Sequence, residues 1–104
     1  MGKLLGKRIM EERKKKRMPR RQLCDEIQTV ITHLVEIEKG KSRAKYLSRV
    51  KYPLLAKIAV SLDLPLDELI RLQVLDELEY ALKGAANPEE REELEQAVRI
   101  FRQN

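Results

Sequence analysis

Apolar positions in this chain fall into short helical registers separated by Pro, Gly and Asn. Leu5, Ile9 and Glu12-Arg13 lie at helical spacing with no Gly or Pro between Lys7 and Met18, which predicts a first helix over residues 3–17. Pro19 interrupts the register, and because Pro is accepted in a first helical turn, a second helix begins at Pro19 or Arg20 with the stripe Leu23, Cys24, Ile27. Gln28 and Thr29 read as a tight connection to a third helix carrying Ile31, Leu34 and Ile37, which Gly40 stops. Residues 41–53 form a basic stretch without an acidic residue, a loop or a short helix. A fourth helix from Pro53 buries Leu54, Leu55, Ile58, Ala59 and Leu62, and Asp63-Leu64-Pro65 ends it.

Leu66 opens a fifth helix whose stripe, Leu69, Ile70, Val74, Leu78, Ala81 and Leu82, is widened by Leu72 and Leu75 beyond what one neighbour covers. Gly84 closes it. Asn87 is a good N-cap, Pro88-Glu89-Glu90 suits a first turn, and Leu94, Ala97, Val98 and Phe101 give a sixth helix one narrow apolar edge. The expected fold class is therefore all-α, with no internal repeat and no low-complexity tract.

Length and composition narrow the function. A chain of 104 residues holds one small domain with a short appendage, too little for a two-lobed enzyme. Aromatic residues are 4% and Trp is absent, so the core is aliphatic. No apolar run approaches the ~20 residues of a bilayer span, and the start, rich in Lys and Arg, lacks the apolar centre of a signal peptide, so a cytoplasmic protein without a membrane partner is expected. Cys24 has no second cysteine to pair with, and with His33 alone beside it no zinc ligand set forms. No Ser/His/Asp or Cys/His arrangement and no Gly-rich phosphate loop is present, and Glu92-Glu93 read as a solvated face, so no enzyme, metal or cofactor is expected.

Charge is divided along the chain. Residues 1–57 carry 17 basic and 6 acidic side chains, net +11, whereas residues 58–104 carry 5 and 11, net −6. A basic segment of this kind suits a polyanion. The run from Arg13 to Arg17, taken alone, reads equally well as a solvated helix end.

With the helices placed, three blocks, LGKRIMEERKKKRM from Leu5, LCDEIQTVITHLVEIEKGK from Leu23 and LAKIAVSLDLPLDEL from Leu55, resemble the Cro/C1-type (XRE-like) helix-turn-helix DNA-binding regulators over roughly the first seventy residues. Matching positions are Leu5, Ile9 and Arg13, then Leu23, Ile27, Leu34, Ile37, Glu38 and Gly40, then Ile58, Ala59, Leu62, Leu64, Leu66 and Leu69. The chain departs from the family where Gln28, Thr29 and Val30 replace its Gly-containing turn, where Arg20 replaces a Gln, and in a link over residues 41–53 about six residues longer.

The resemblance implies a five-helix, lambda-repressor-like domain over residues 1–70, followed by a C-terminal helical hairpin over residues 71–104 that dimerises it. It also implies an ion pair between Arg13 and Glu38, a packed Cys24, and a third helix lying in the major groove. Arg20, Arg21, Lys39, Lys41, Arg43, Lys45 and Arg49 then flank the phosphate backbones, with Lys51, Tyr46 and Tyr52 beside them. Val30 and Ile31 suit thymine methyls, and Thr32 and His33 supply polar base contacts. The remaining outward positions, Val35 and Glu36, add no Arg, Gln or Asn. Val74, Leu75, Leu78, Leu82, Leu94, Val98 and Phe101 form the expected dimer interface, or a surface for another protein.

The function expected on these grounds is a dimeric, sequence-specific transcription regulator, a repressor binding double-stranded DNA. The alternative is a protein-interaction adaptor or antitoxin-like partner in which the helix-turn-helix fold serves as scaffold and the apolar face of Val30, Ile31 and Val35 binds protein.

Overall fold

The computed structural model describes residues 3–40 and 50–103, which form six helices and no strand: α1 (Lys3–Lys15), α2 (Arg20–Ile27), α3 (Ile31–Lys39), α4 (Tyr52–Leu62), α5 (Leu66–Gly84) and α6 (Pro88–Arg102). The chain is all-helical over these residues. α1 stops two residues short of the expected end because Arg17 turns left-handed, φ 54°, and Met18 N–H returns to the Arg13 carbonyl at 3.0 Å. α4 begins at Tyr52, placing Pro53 inside its first turn, where its missing N–H costs nothing.

Left-handed residues end three further segments. Gly40, φ 66°, closes α3, and Gln28 and Asp63, each at φ 55°, close α2 and α4. Gln28 adopts the conformation that Gly takes without strain, so the turn keeps a left-handed residue although the sequence supplies one with a side chain. That side chain is tied down: its Oε1 accepts from Lys57 Nζ on α4 at 3.0 Å.

One aliphatic core joins the first five helices. Leu5 and Ile9 of α1, Leu23, Cys24 and Ile27 of α2, Leu34 and Ile37 of α3, Leu55, Ile58, Ala59 and Leu62 of α4, and Leu69 of α5 pack together with Val50 and Leu64. Burial pushes the Cys24 thiol up from its ordinary value, which keeps it a neutral packing group. α1 packs on α3 and α5, α2 on α4, and α6 on α5. Arg71 Nη1 donates to the Phe101 carbonyl at 3.3 Å, and Arg91 Nη2 to that of Ala85 at 3.1 Å, so α5 and α6 run antiparallel across the link at 85–87.

The division expected after Ile70 falls within the uninterrupted α5, and the next turn of this helix is bonded to the N-terminal part of the chain. Gln73, 4% exposed, accepts from Val50 N–H at 2.8 Å and donates to the Val50 carbonyl at 3.1 Å, pairing both ways as a neighbouring strand would. Asp76 caps α1 from outside: its two oxygens accept from Leu4 N–H at 2.9 Å and Leu5 N–H at 3.0 Å, groups with no partner within their own helix. A chain cut after Ile70 loses both anchors.

Asp76→Ala lowers the unfolding free energy by about 2 kcal/mol, as loss of a cap with two stranded donors requires. Urea unfolding measures it. Burial also lifts the Asp76 carboxyl above its ordinary value, against the pull of the Leu4 and Leu5 N–H groups. The folded chain therefore holds this proton more tightly than the unfolded chain does. The resulting stability is fully present below the ordinary carboxylate pKa and is lost as pH rises through the folded value. A carbon-detected NMR titration that finds Asp76 at or below its ordinary pKa contradicts the sign.

Candidate nucleic-acid interface

The orientation of α3 is set by buried polar contacts at its C-terminal end. Arg13 Nε donates to Glu38 Oε2 at 2.8 Å and Arg13 Nη2 to Glu38 Oε1 at 3.1 Å, a two-pronged pair between α1 and α3. Arg13 Nη1 reaches the Met18 carbonyl at 2.9 Å, and Arg20 Nε adds a third bond to Glu38 Oε1 at 3.0 Å. The Glu38 carboxylate is fully buried and satisfied by two guanidinium groups. At the same crossing Gly6 is buried, and a Cβ there would fall on the backbone carbonyls of Ile37 and Glu38.

Held this way, α3 buries Leu34, Ile37 and Glu38 and leaves its opposite side in solvent. Ile31 is 50% exposed, Val30 just before it 67%, and Thr32, His33 and Lys39 are exposed, while Val35 and Glu36 are half-buried. Thr29 Oγ1 and His33 Nδ1 share a hydrogen bond of 3.1 Å, which fixes the imidazole at the first turn and leaves Nε2 as the ring nitrogen for a partner.

The helix N-termini differ in a way that bears on ligand charge. Pro19, Val30 and Lys51 precede α2, α3 and α4 without any side-chain cap, and none of these helices has an acid in its first turn. α5 and α6 carry Asp67-Glu68 and Glu89-Glu90 there, and Asn87 Oδ1 caps α6 at 2.8 Å from Glu89 N–H. In the basic part of the chain the positive ends of three helix dipoles thus carry neither a cap from the preceding side chain nor an acid in the first turn, which suits an anion.

The cations divide into two kinds. Arg21, Lys39, Lys51 and Lys57 are exposed, as are Lys14 to Arg17 at the end of α1, whereas Arg13 is buried and Arg20 is half-buried against Glu38. Arg20, expected on the phosphates, thus has its Nε already engaged. Lys41, Arg43, Lys45, Tyr46 and Arg49 lie outside the described residues. Lys57, outside the sequence-based expectation, donates to Gln28 Oε1 at 3.0 Å; the signal for it is Gln28 at a turn position that favours Gly, which needs a partner to hold its side chain.

Of the residues expected at a dimer interface, Leu75, 3% exposed, and Val98, 7% exposed, are already buried within the single chain and need no partner to cover them. Val74, Leu78, Leu82, Leu94 and Phe101 are half-buried. Leu82 and Val98 line a groove between α5 and α6 whose rim is charged, with Glu79 and Arg102 paired across it at 2.6 Å. Tyr80, 47% exposed, and Ile100, 60% exposed, are the more open apolar residues of these two helices.

Among the described residues no group of three or more His, Cys, Asp or Glu could hold a metal ion, and no helix is long and apolar enough to cross a membrane. Comparison of the chain with family models, curated proteins and solved structures found no match.

Proposed function

We propose that the chain is a sequence-specific DNA-binding transcription regulator of the cytoplasm, a dimeric repressor acting by occlusion with α3 in the major groove. In this reading α1–α5 are a five-helix, lambda-repressor-like domain, with α2, the turn at 28–30 and α3 as its helix-turn-helix. The observation that supports it is the combination of three features: an α3 whose outer side is in solvent, N-termini of α2, α3 and α4 without side-chain caps or acids in their first turns, and exposed Arg21, Lys39 and Lys51. Backbone N–H groups and cations position a protein on phosphates, and the outer residues of α3 then meet base edges. The α5–α6 hairpin joins two copies through Tyr80, Ile100 and the half-buried Val74, Leu78, Leu82, Leu94 and Phe101. Two modules spaced by one helical turn of DNA, ~34 Å, gain affinity from being linked.

Binding to random duplex DNA at several salt concentrations tests this. If about six phosphates are neutralised per dimer, log affinity falls against log salt with a slope near −5, since each releases ~0.9 of a counterion. Arg21→Ala with Lys39→Ala flattens that slope and weakens all sequences alike, whereas Thr32→Ala lowers only the margin between selected and random DNA. Salt-insensitive association overturns the reading.

The exposure of Val30 and Ile31 favours one other reading, an adaptor or antitoxin-like protein whose α3 face binds protein. Such a protein flows through immobilised duplex DNA at low salt.

A further inference from the structure

We infer that Val30 and Ile31 read the 5-methyl group of pyrimidines in the major groove, so that the recognised duplex carries a methylated pyrimidine, thymine or 5-methylcytosine, where α3 enters it. The inference rests on the DNA-binding reading and deepens it.

Much of the surface of these two side chains contributes no packing to the fold. Val30 is the N-cap of α3, with extended backbone at φ −92° and ψ 151°, and makes no side-chain cap. Aliphatic residues are among the poorest caps, and Ser, Thr, Asp or Asn there would bond the free N–H groups of the first turn. Val30 instead leaves those groups unbonded by its side chain and holds 67% of its own surface in water, with Ile31 beside it 50% exposed. A local choice that works against the helix it begins points to a ligand.

The surroundings select the ligand. Lys57 reaches Gln28, two residues before Val30, and the first turn of α3 holds no acid but offers Thr32 and the oriented His33. A small apolar spot in basic, hydrogen-bonding surroundings matches an apolar spot within a polyanion. In duplex DNA that spot is the pyrimidine methyl, set in the major groove between phosphate backbones. Two adjacent β-branched side chains are far less than the large apolar core by which proteins hold one another, with its aromatic or Arg anchors.

The test begins with a site selected by the full chain from a random duplex pool. Each thymine is replaced in turn by deoxyuridine, which removes the methyl and keeps every hydrogen-bonding group. At one or two positions per half-site the replacement weakens binding about fourfold, the worth of one buried methyl-sized group. The double variant Val30→Ala, Ile31→Ala, altered only at exposed positions, binds thymine and uracil sites equally and keeps the wild-type salt slope. At the same positions, cytosine and 5-methylcytosine are then compared. A fourfold gain on methylation assigns either source, whereas a thymine effect without it assigns thymine.

Uniform tolerance of uracil, with DNA still bound, overturns methyl reading and leaves the DNA-binding reading in place. A uracil effect that persists in the double variant also overturns it, by assigning the effect to duplex shape. Absence of DNA retention at low salt overturns both and favours a protein occupant for this face.

Discussion

Glu38→Ala lowers the unfolding free energy by about 3 kcal/mol, the cost of removing one partner from a buried ion pair. The Arg13 residue it leaves is 7% exposed and keeps only the Met18 carbonyl, at 2.9 Å, of its three contacts. Arg20 loses its bond as well, but being half-buried it rehydrates, so the penalty falls mainly on Arg13. Denaturant titration reads the loss as a lower midpoint at unchanged slope. Replacing both partners by apolar residues, Arg13→Met with Glu38→Leu, restores most of it, because no charge is then stranded. A Glu38→Ala change within ~0.5 kcal/mol would show that the pair does not bind α1 to α3.

Gly6→Ala is expected to have an effect of similar size and of a sign opposite to that of helix propensity. In an exposed helix interior the change stabilises by about 1 kcal/mol. Here the added methyl meets the carbonyls of Ile37 and Glu38, backbone atoms that cannot rotate away as a side chain would. Those carbonyls belong to the last turn of α3, which Gly40 closes, so relief requires α1 and α3 to separate. Overpacking of this kind costs about 3 kcal/mol, which at the size of this domain lowers the melting temperature by on the order of 15 °C. Gly84→Ala is the control: nothing lies within 4 Å of its added methyl, and stability stays level or rises slightly. Equal effects at the two glycines would mean that α1 and α3 do not cross at Gly6.

Local signals were readable where they are chemically local. Asn87 with Pro88, Gly40 after Lys39, and Leu66 after Pro65 mark helix ends by capping and backbone preference, and the helices begin or end there. The aliphatic stripes identify the core because period alone decides which side faces inward. Arg13 and Glu38 came from a resemblance, since nothing in a 25-residue separation of opposite charges singles them out.

Gln73 and Asp76 escaped for a related reason. In the stripe of α5 they look like ordinary polar interruptions, and their partners are backbone groups 23 to 72 residues away. By period alone the widened stripe points to a partner surface, although Leu75 is covered within the chain. Gly6 did leave a signal: a glycine within a helix is unfavourable by about 1 kcal/mol and calls for a close neighbour to explain it.

The capping of α1 by Asp76 also orders events during synthesis. Leu4 and Leu5 receive their partner only after 71 to 72 further residues have been polymerised, so for several seconds at ribosomal speed, about 5–20 residues per second, the first helix exists without its acceptor. Its apolar side, Leu5 and Ile9, belongs to a core that is complete only once Leu69 has followed. Until Asp76 has been added, α1 lacks the cap that this residue gives its N-terminus, so the closure of α1 against α5 comes late in synthesis.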